Sequence, residues 1–329
     1  MKKLLFFSIP LILVAISCNH PVKNNSNKLK VQIQLPEFNE DTAYYYTKAQ
    51  VDFGPRVCNT PAHEKCAAFL VARLKPYADI VKTQRFNVKA YDGTILKSQN
   101  IIASFKPESQ QRIMLCAHWD SRPFSDHDPD PAKRKTPVDG ANDGASGVGI
   151  LMEVARQLSI AKPEIGVDII FFDAEDYGAP ENASGNHEDS WCLGSQYWAK
   201  NPHVQAYKAR FGILLDMVGA EDATFFMEGV SMYYAPDITK KVWDMANQLG
   251  FSNYFSYTTS SSLTDDHLYI NKIINIPTID IIHQVPGSEN GFFPYWHTTK
   301  DNMDNISKKT LKVVGQTMLA IVRQEGLPV

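Results

Sequence analysis

The chain has 329 residues, 44% of them hydrophobic and 21% charged, a balance that suits one large α/β domain and excludes a disordered or fibrous protein. Its net charge of −3 offers no basic field, which excludes nucleic acid as a partner.

Lys2 and Lys3 precede an apolar run over 4–16. That run is too short for a comfortable transmembrane helix but right for a signal-peptide core. It ends in Ala15-Ile16-Ser17-Cys18, which resembles a bacterial lipobox and implies cleavage before Cys18 and lipid on its thiol. Residues 19–30 are rich in Asn and Lys and have nothing to bury, so they read as a tether. The expected organisation is a signal peptide over 1–17, a lipidated tether over 18–35 and one folded domain over 36–329. The expected location is the membrane, anchored through Cys18 and facing the periplasm of a Gram-negative-type envelope. Export permits disulfides among Cys58, Cys66, Cys116 and Cys192, but their spacing assigns no pairs. None has a CxxC partner, which argues against a thiolate zinc site.

Residues 38–75 read as helical, interrupted by turn residues at Gly54-Pro55-Arg56 and Asn59-Thr60-Pro61. Strands are expected at 81–88 and 100–105. Short apolar runs then recur at 112–116, 167–172, 212–215 and 277–282, the last containing Asp280, each fit to be a buried strand. A helix over 145–158 places Val148, Leu151, Val154, Ala155 and Leu158 on one face, and a final helix spans 307–324. This alternation implies an α/β fold with a mixed, mostly parallel central sheet and helices on both faces. In such sheets ligands bind at the carboxyl ends of the strands. His118-Trp119-Asp120, Asp173-Ala174-Glu175-Asp176 and Asp216 all follow predicted strands.

Any one of these clusters is an ordinary turn or cap, because Asp, Asn and Gly are common turn formers. Together they bring metal-type side chains to one edge. Zinc accepts imidazole nitrogen and carboxylate oxygen, and a catalytic site keeps one position open. The ordered set His118-x-Asp120, Asp143 in Asn142-Asp143-Gly144-Ala145-Ser146-Gly147, Glu175-Asp176, Asp216 and His297 resembles zinc peptidase family M28 over about 110–305. The resemblance implies the aminopeptidase-like zinc fold and a co-catalytic site with a bridging Asp and a Glu base.

Trp296 directly precedes His297 in Phe292-Phe293-Pro294-Tyr295-Trp296-His297, and Thr264-Asp265-Asp266-His267 lies ahead of it. These segments are similar to glutaminyl cyclases, which share the M28 fold and bind one catalytic zinc. Carried over, the resemblance implies one Zn2+ per chain on Asp143, Asp176 and His297, with Glu175 as proton shuttle. It implies a carboxylate network of Asp216 and Asp265 beside Glu175, and Trp296 as a wall of the substrate pocket. Trp191 either replaces a second pocket tryptophan or packs in the core. Asp176 departs from the animal enzymes, which have Glu there. The expected reaction converts N-terminal Gln of peptides or proteins to pyroglutamate with release of ammonia. The rival is a two-zinc aminopeptidase, in which His118 and Asp216 complete a second metal site that a cyclase keeps only as a vestige. A non-enzymatic ectodomain of this fold would have lost metal ligands, whereas all five positions are occupied here.

Overall fold

The computed structural model describes residues 36–327 apart from 186, 188 and 289; the expected signal peptide, lipidation site at Cys18 and tether lie outside the described residues. Two helices open the described chain, α1 (Glu40–Val51) and α2 (Pro61–Leu74), separated at the expected break. Asn39 caps the first by accepting from Thr42 N, and Thr60 caps the second by accepting from His63 N, with Pro61 in the first turn where its missing N–H costs nothing.

The strands β1 (Ile80–Lys89) and β2 (Ile95–Phe105) form an antiparallel hairpin. β2 starts five residues before its apolar run, because its outer half pairs with β1 by backbone while Ile95 stays 52% exposed. The alternating units follow: β3 (Arg112–His118), α3 (Ala145–Ile160), β4 (Gly166–Phe172), α4 (Leu193–Lys200) and β5 (Gly212–Asp216). Next come β6 (Phe225–Met227), α5 (Gly229–Tyr234), α6 (Pro236–Gln248), β7 (Phe255–Thr259), α7 (Asp266–Ile274), β8 (Thr278–Ile282) and α8 (Lys308–Glu325). The main sheet runs β1-β2-β4-β3-β5-β8, and β6 pairs with β7 in a small separate sheet. β4, β3, β5 and β8 are mutually parallel, while β2 joins β4 antiparallel, so the mostly parallel expectation holds. All four parallel strands therefore end on the same edge.

Successive residues of the central strands feed two different cores, as the period of two requires. Leu115, Ile169, Ile213 and Ile279 pack on the side of α3 and α8. Met114, Cys116, Ile170 and Leu214 pack with Trp198 of α4 and Ile270 of α7. One expectation needs enlarging: α3 is buried nearly all round, not on one face alone. It lies between the sheet and the pair α1 and α8. Small residues allow both approaches, since a Cβ at Gly147 would overlap Leu215 O and one at Gly149 would overlap Thr47 Oγ1. Cys58, Cys66, Cys116 and Cys192 are all buried free thiols.

Candidate active site

His118 is the last residue of β3 and Asp216 the last of β5, while Asp173 to Asp176 follow the end of β4 directly. Asp143 stands two residues before α3 in a turn whose Gly144 has φ 63°. A Cβ there would come within 2.6 Å of the His118 ring, so only glycine lets Asp143 and His118 share this corner. Non-glycine residues with left-handed backbone gather at the same edge: Ala174 at φ 54°, Cys192 at 58°, Met217 at 47° and His297 at 53°. Each conformation is costly for an L-residue, on the order of 1–3 kcal/mol, and such strain clusters where side chains must be aimed.

Asp143, Asp176 and His297 bring one ligand atom each within 4.8 Å of one another, and all three are buried. His297 Nε2 lies 3.2 Å from Asp176 Oδ1 and 3.6 Å from Asp143 Oδ2. Asp176 Oδ1 is buried and makes no hydrogen bond, with the charges of His297 and, at 3.7 Å, Arg122 Nη1 near it. Two carboxylates and an imidazole with an orphaned oxygen fit a zinc ion with one open position. Asp143 also belongs to a second group: its Oδ1 is 2.9 Å from His118 Nε2, which is 3.1 Å from Asp216 Oδ1. The side chains thus provide for one ion or two.

The charges here are strongly coupled. Burial pushes Glu175 well above the usual carboxylate range, helped by the charges of Asp176 and Asp265. Burial and the neighbouring Asp143 raise Asp176 to about 6 and Asp216 to about 7. Asp143 itself is held low: burial opposes its charge, but the His118 hydrogen bond outweighs it. A divalent cation would lower the ligands, while Glu175, outside the ligand group, keeps the basicity a proton acceptor needs.

Positioning comes from residues behind the edge. Asp120 accepts from the backbone N–H groups of both Glu175 and Asp176 at 3.1 Å, clamping the base and its neighbour together. Asp301 accepts from Asn142 N at 2.8 Å and Asp143 N at 3.1 Å. The Cys192 thiol donates to Glu175 Oε1 at 3.1 Å, and Asp265, the N-cap of α7, completes a close group with these two.

Trp296 stacks on His297 with ring centroids 3.7 Å apart, and Trp191 lies parallel to the same imidazole at 5.8 Å. Both line a cavity of about 260 Å³ together with Glu175, Asp216, Asp265 and Phe292. Trp191 is thereby a pocket residue and not a core one. The structure also adds residues the sequence did not single out: Arg122, Asp126, Cys192, Glu228 and Asp301. Arg122 and Asp126 stand four apart just after the His118 cluster, the one pair with a local signal; the others come from distant segments.

Residues 100–322 match peptidase family M28. The chain belongs to this family. Among solved structures, the Zn-dependent exopeptidase of Parabacteroides distasonis is 55% identical, with TM-score 0.87 over 88% of this chain and 99% of that one. The glutaminyl cyclase of Bacteroides thetaiotaomicron, bound to N-acetylhistamine, is 54% identical, with TM-score 0.86 over 88% and 99%. The glutaminyl-peptide cyclotransferase of Gloydius blomhoffii is 26% identical over 251 residues, 68% of this chain and 64% of that relative. The chain spans 47% and 64% of the first two curated relatives it matches. Family membership, the zinc-dependent exopeptidase neighbour and this donor set point to zinc for the site.

Proposed function

We propose that this M28 chain is a zinc-dependent glutaminyl-peptide cyclotransferase, converting N-terminal Gln of peptides or proteins to pyroglutamate and releasing ammonia. The observation that carries this reading is the cavity itself. Two tryptophans stack on His297, and three carboxylates, Glu175, Asp216 and Asp265, line the same cavity. A small, half-apolar pocket lined with proton acceptors suits a short side chain and a free amine.

Asp143, Asp176 and His297 would hold one zinc. When bound, zinc polarises the γ-carbonyl of the substrate glutamine. Trp191 and Trp296 flank the side chain, exclude water and bring the α-amine against the carbonyl carbon of the side-chain amide, which supplies an entropic advantage. Glu175 takes a proton from the amine as the N–C bond forms. It returns that proton to the side-chain amide nitrogen as the C–N bond breaks and ammonia leaves. Asp265 and the Cys192 thiol fix the Glu175 carboxylate between these two nitrogens. Asp216 lines the same cavity but is held by His118 at 3.1 Å and not by Glu175 or Asp265, and no second ion is needed, because the nucleophile is an amine already on the substrate.

Incubating the purified protein with Gln-initiated and Leu-initiated peptides while titrating zinc tests this. Ammonia and pyroglutamyl product, with activity saturating at one zinc per chain, is the expected result. Free N-terminal residues, with saturation at two zinc ions, would identify an aminopeptidase instead. The His118, Asp143 and Asp216 group is the feature that favours that second reading. We further infer from the leader that the enzyme is exported, anchored by lipid on Cys18 and facing the periplasm.

A further inference from the structure

Arg122 is wholly buried, a costly place for a charge unless every donor is paired. Its Nε and Nη2 form a two-point pair with Asp126 at 2.7 and 2.6 Å. Its Nη1 donates to the main-chain carbonyls of Asp176 at 3.0 Å and Gly178 at 3.3 Å. The guanidinium lies between two rings, 4.4 Å from Phe124 and 4.5 Å from Trp191. Asp126 presents the same Oδ1 to His297 Nδ1 at 3.5 Å, while His297 Nε2 faces Asp143 and Asp176. A carboxylate this close to Nδ1, near it as a charge and not as a hydrogen-bond acceptor, favours the proton there and leaves the Nε2 lone pair for a metal.

We propose that Arg122 is a positioning residue that locks the metal-facing geometry of His297 and Asp176 to the Trp191 wall of the substrate cavity. One planar side chain reaches the carboxylate behind one ligand, the backbone of the second ligand and the face of the pocket aromatic. Lysine keeps the charge but has a single nitrogen, so it cannot serve these partners together. The proposal rests on the ligand assignment made above, not on which reaction the site runs.

The test is R122K, with zinc affinity measured by competition with a chromogenic chelator and the absorption spectrum recorded for the cobalt-substituted protein. The expected result is zinc affinity weaker by about 10- to 100-fold and an altered cobalt spectrum. At saturating zinc, kcat should fall and KM for a Gln-initiated peptide should rise as Trp191 loses its backing. A role confined to stability would lower the melting temperature and leave affinity and spectrum as in the parent; that outcome overturns the proposal. Should R122K fail to fold, D126N decides by the same two measurements: weaker zinc binding supports the proposal, and parent-like binding overturns it. A parent protein that binds zinc yet makes no pyroglutamate refutes the cyclase reading alone, because affinity and spectrum still report on Arg122.

Discussion

Replacing Glu228 with Gln is expected to destabilise the protein by about 3–5 kcal/mol and to loosen one rim of the substrate cavity. The Glu228 carboxylate is fully buried at the start of α5. Its Oε1 accepts from Val230 N and Leu263 N, both at 2.8 Å. Its Oε2 accepts from Ser231 N at 2.7 Å and Ser231 Oγ at 2.9 Å, and meets His267 Nε2 at 3.1 Å. Burial disfavours the charge, but His267 and the N–H donors outweigh it and bring the carboxyl from 4.5 down to about 2. At 1.36 kcal/mol per unit, that difference is roughly 3 kcal/mol of stability from the ionised form. Glutamine loses this and turns an amide NH2 toward backbone donors, which adds about 1–2 kcal/mol. The carboxylate's contribution is fully present above pH 4.5 and is lost as pH falls toward 2, because the unfolded chain protonates first. Urea unfolding of parent and variant should therefore show a gap at pH 7 that narrows by about 2 kcal/mol at pH 3. Because Leu263 and Asp265 border the cavity, KM for a Gln-initiated peptide should also rise. A gap below about 1 kcal/mol at pH 7, or one that does not narrow in acid, would refute the reasoning.

Glu175→Gln should lower kcat by at least about 100-fold while zinc content stays at the parent level, because it removes the proton carrier and leaves the ligand group intact; near-parental turnover would remove Glu175 from the mechanism. His297→Ala should lower zinc affinity strongly, since a three-residue ligand set cannot readily lose a member; metal analysis showing full zinc after dialysis would refute the assignment. Cys18→Ala should shift the protein out of the detergent-soluble membrane fraction; equal retention of parent and variant would end the lipobox reading.

Much of the architecture was legible because buried parallel strands write themselves as short apolar runs. The runs at 112–116, 167–172, 212–215 and 277–282 became β3, β4, β5 and β8, each within a residue or two. The segment 225–274 was not legible. β6 and β7 have three and five residues, and the latter is largely exposed, so neither carries a clear alternation. Trp191 was ambiguous because a tryptophan in a polar loop has no period; its ring plane against His297 decided the matter.

By itself the sequence determined the parallel strands β3, β4, β5 and β8, the helices α3 and α8, and the acidic and histidine residues that follow strand ends. These are local properties: periodicity sets which residues are strand, and a ligand just past the strand arrives at the sheet edge with it. Only the tertiary structure decided which carboxylate supports which ligand. Asp301 reaches Asn142 across 159 residues, and Glu228 reaches Leu263 across 35. Such partners are chosen by distance and angle once the core has closed. A buried acid hydrogen-bonding a ligand's backbone and one exposed on a turn look alike along the chain, and folding alone separates them by excluding water from one of the two.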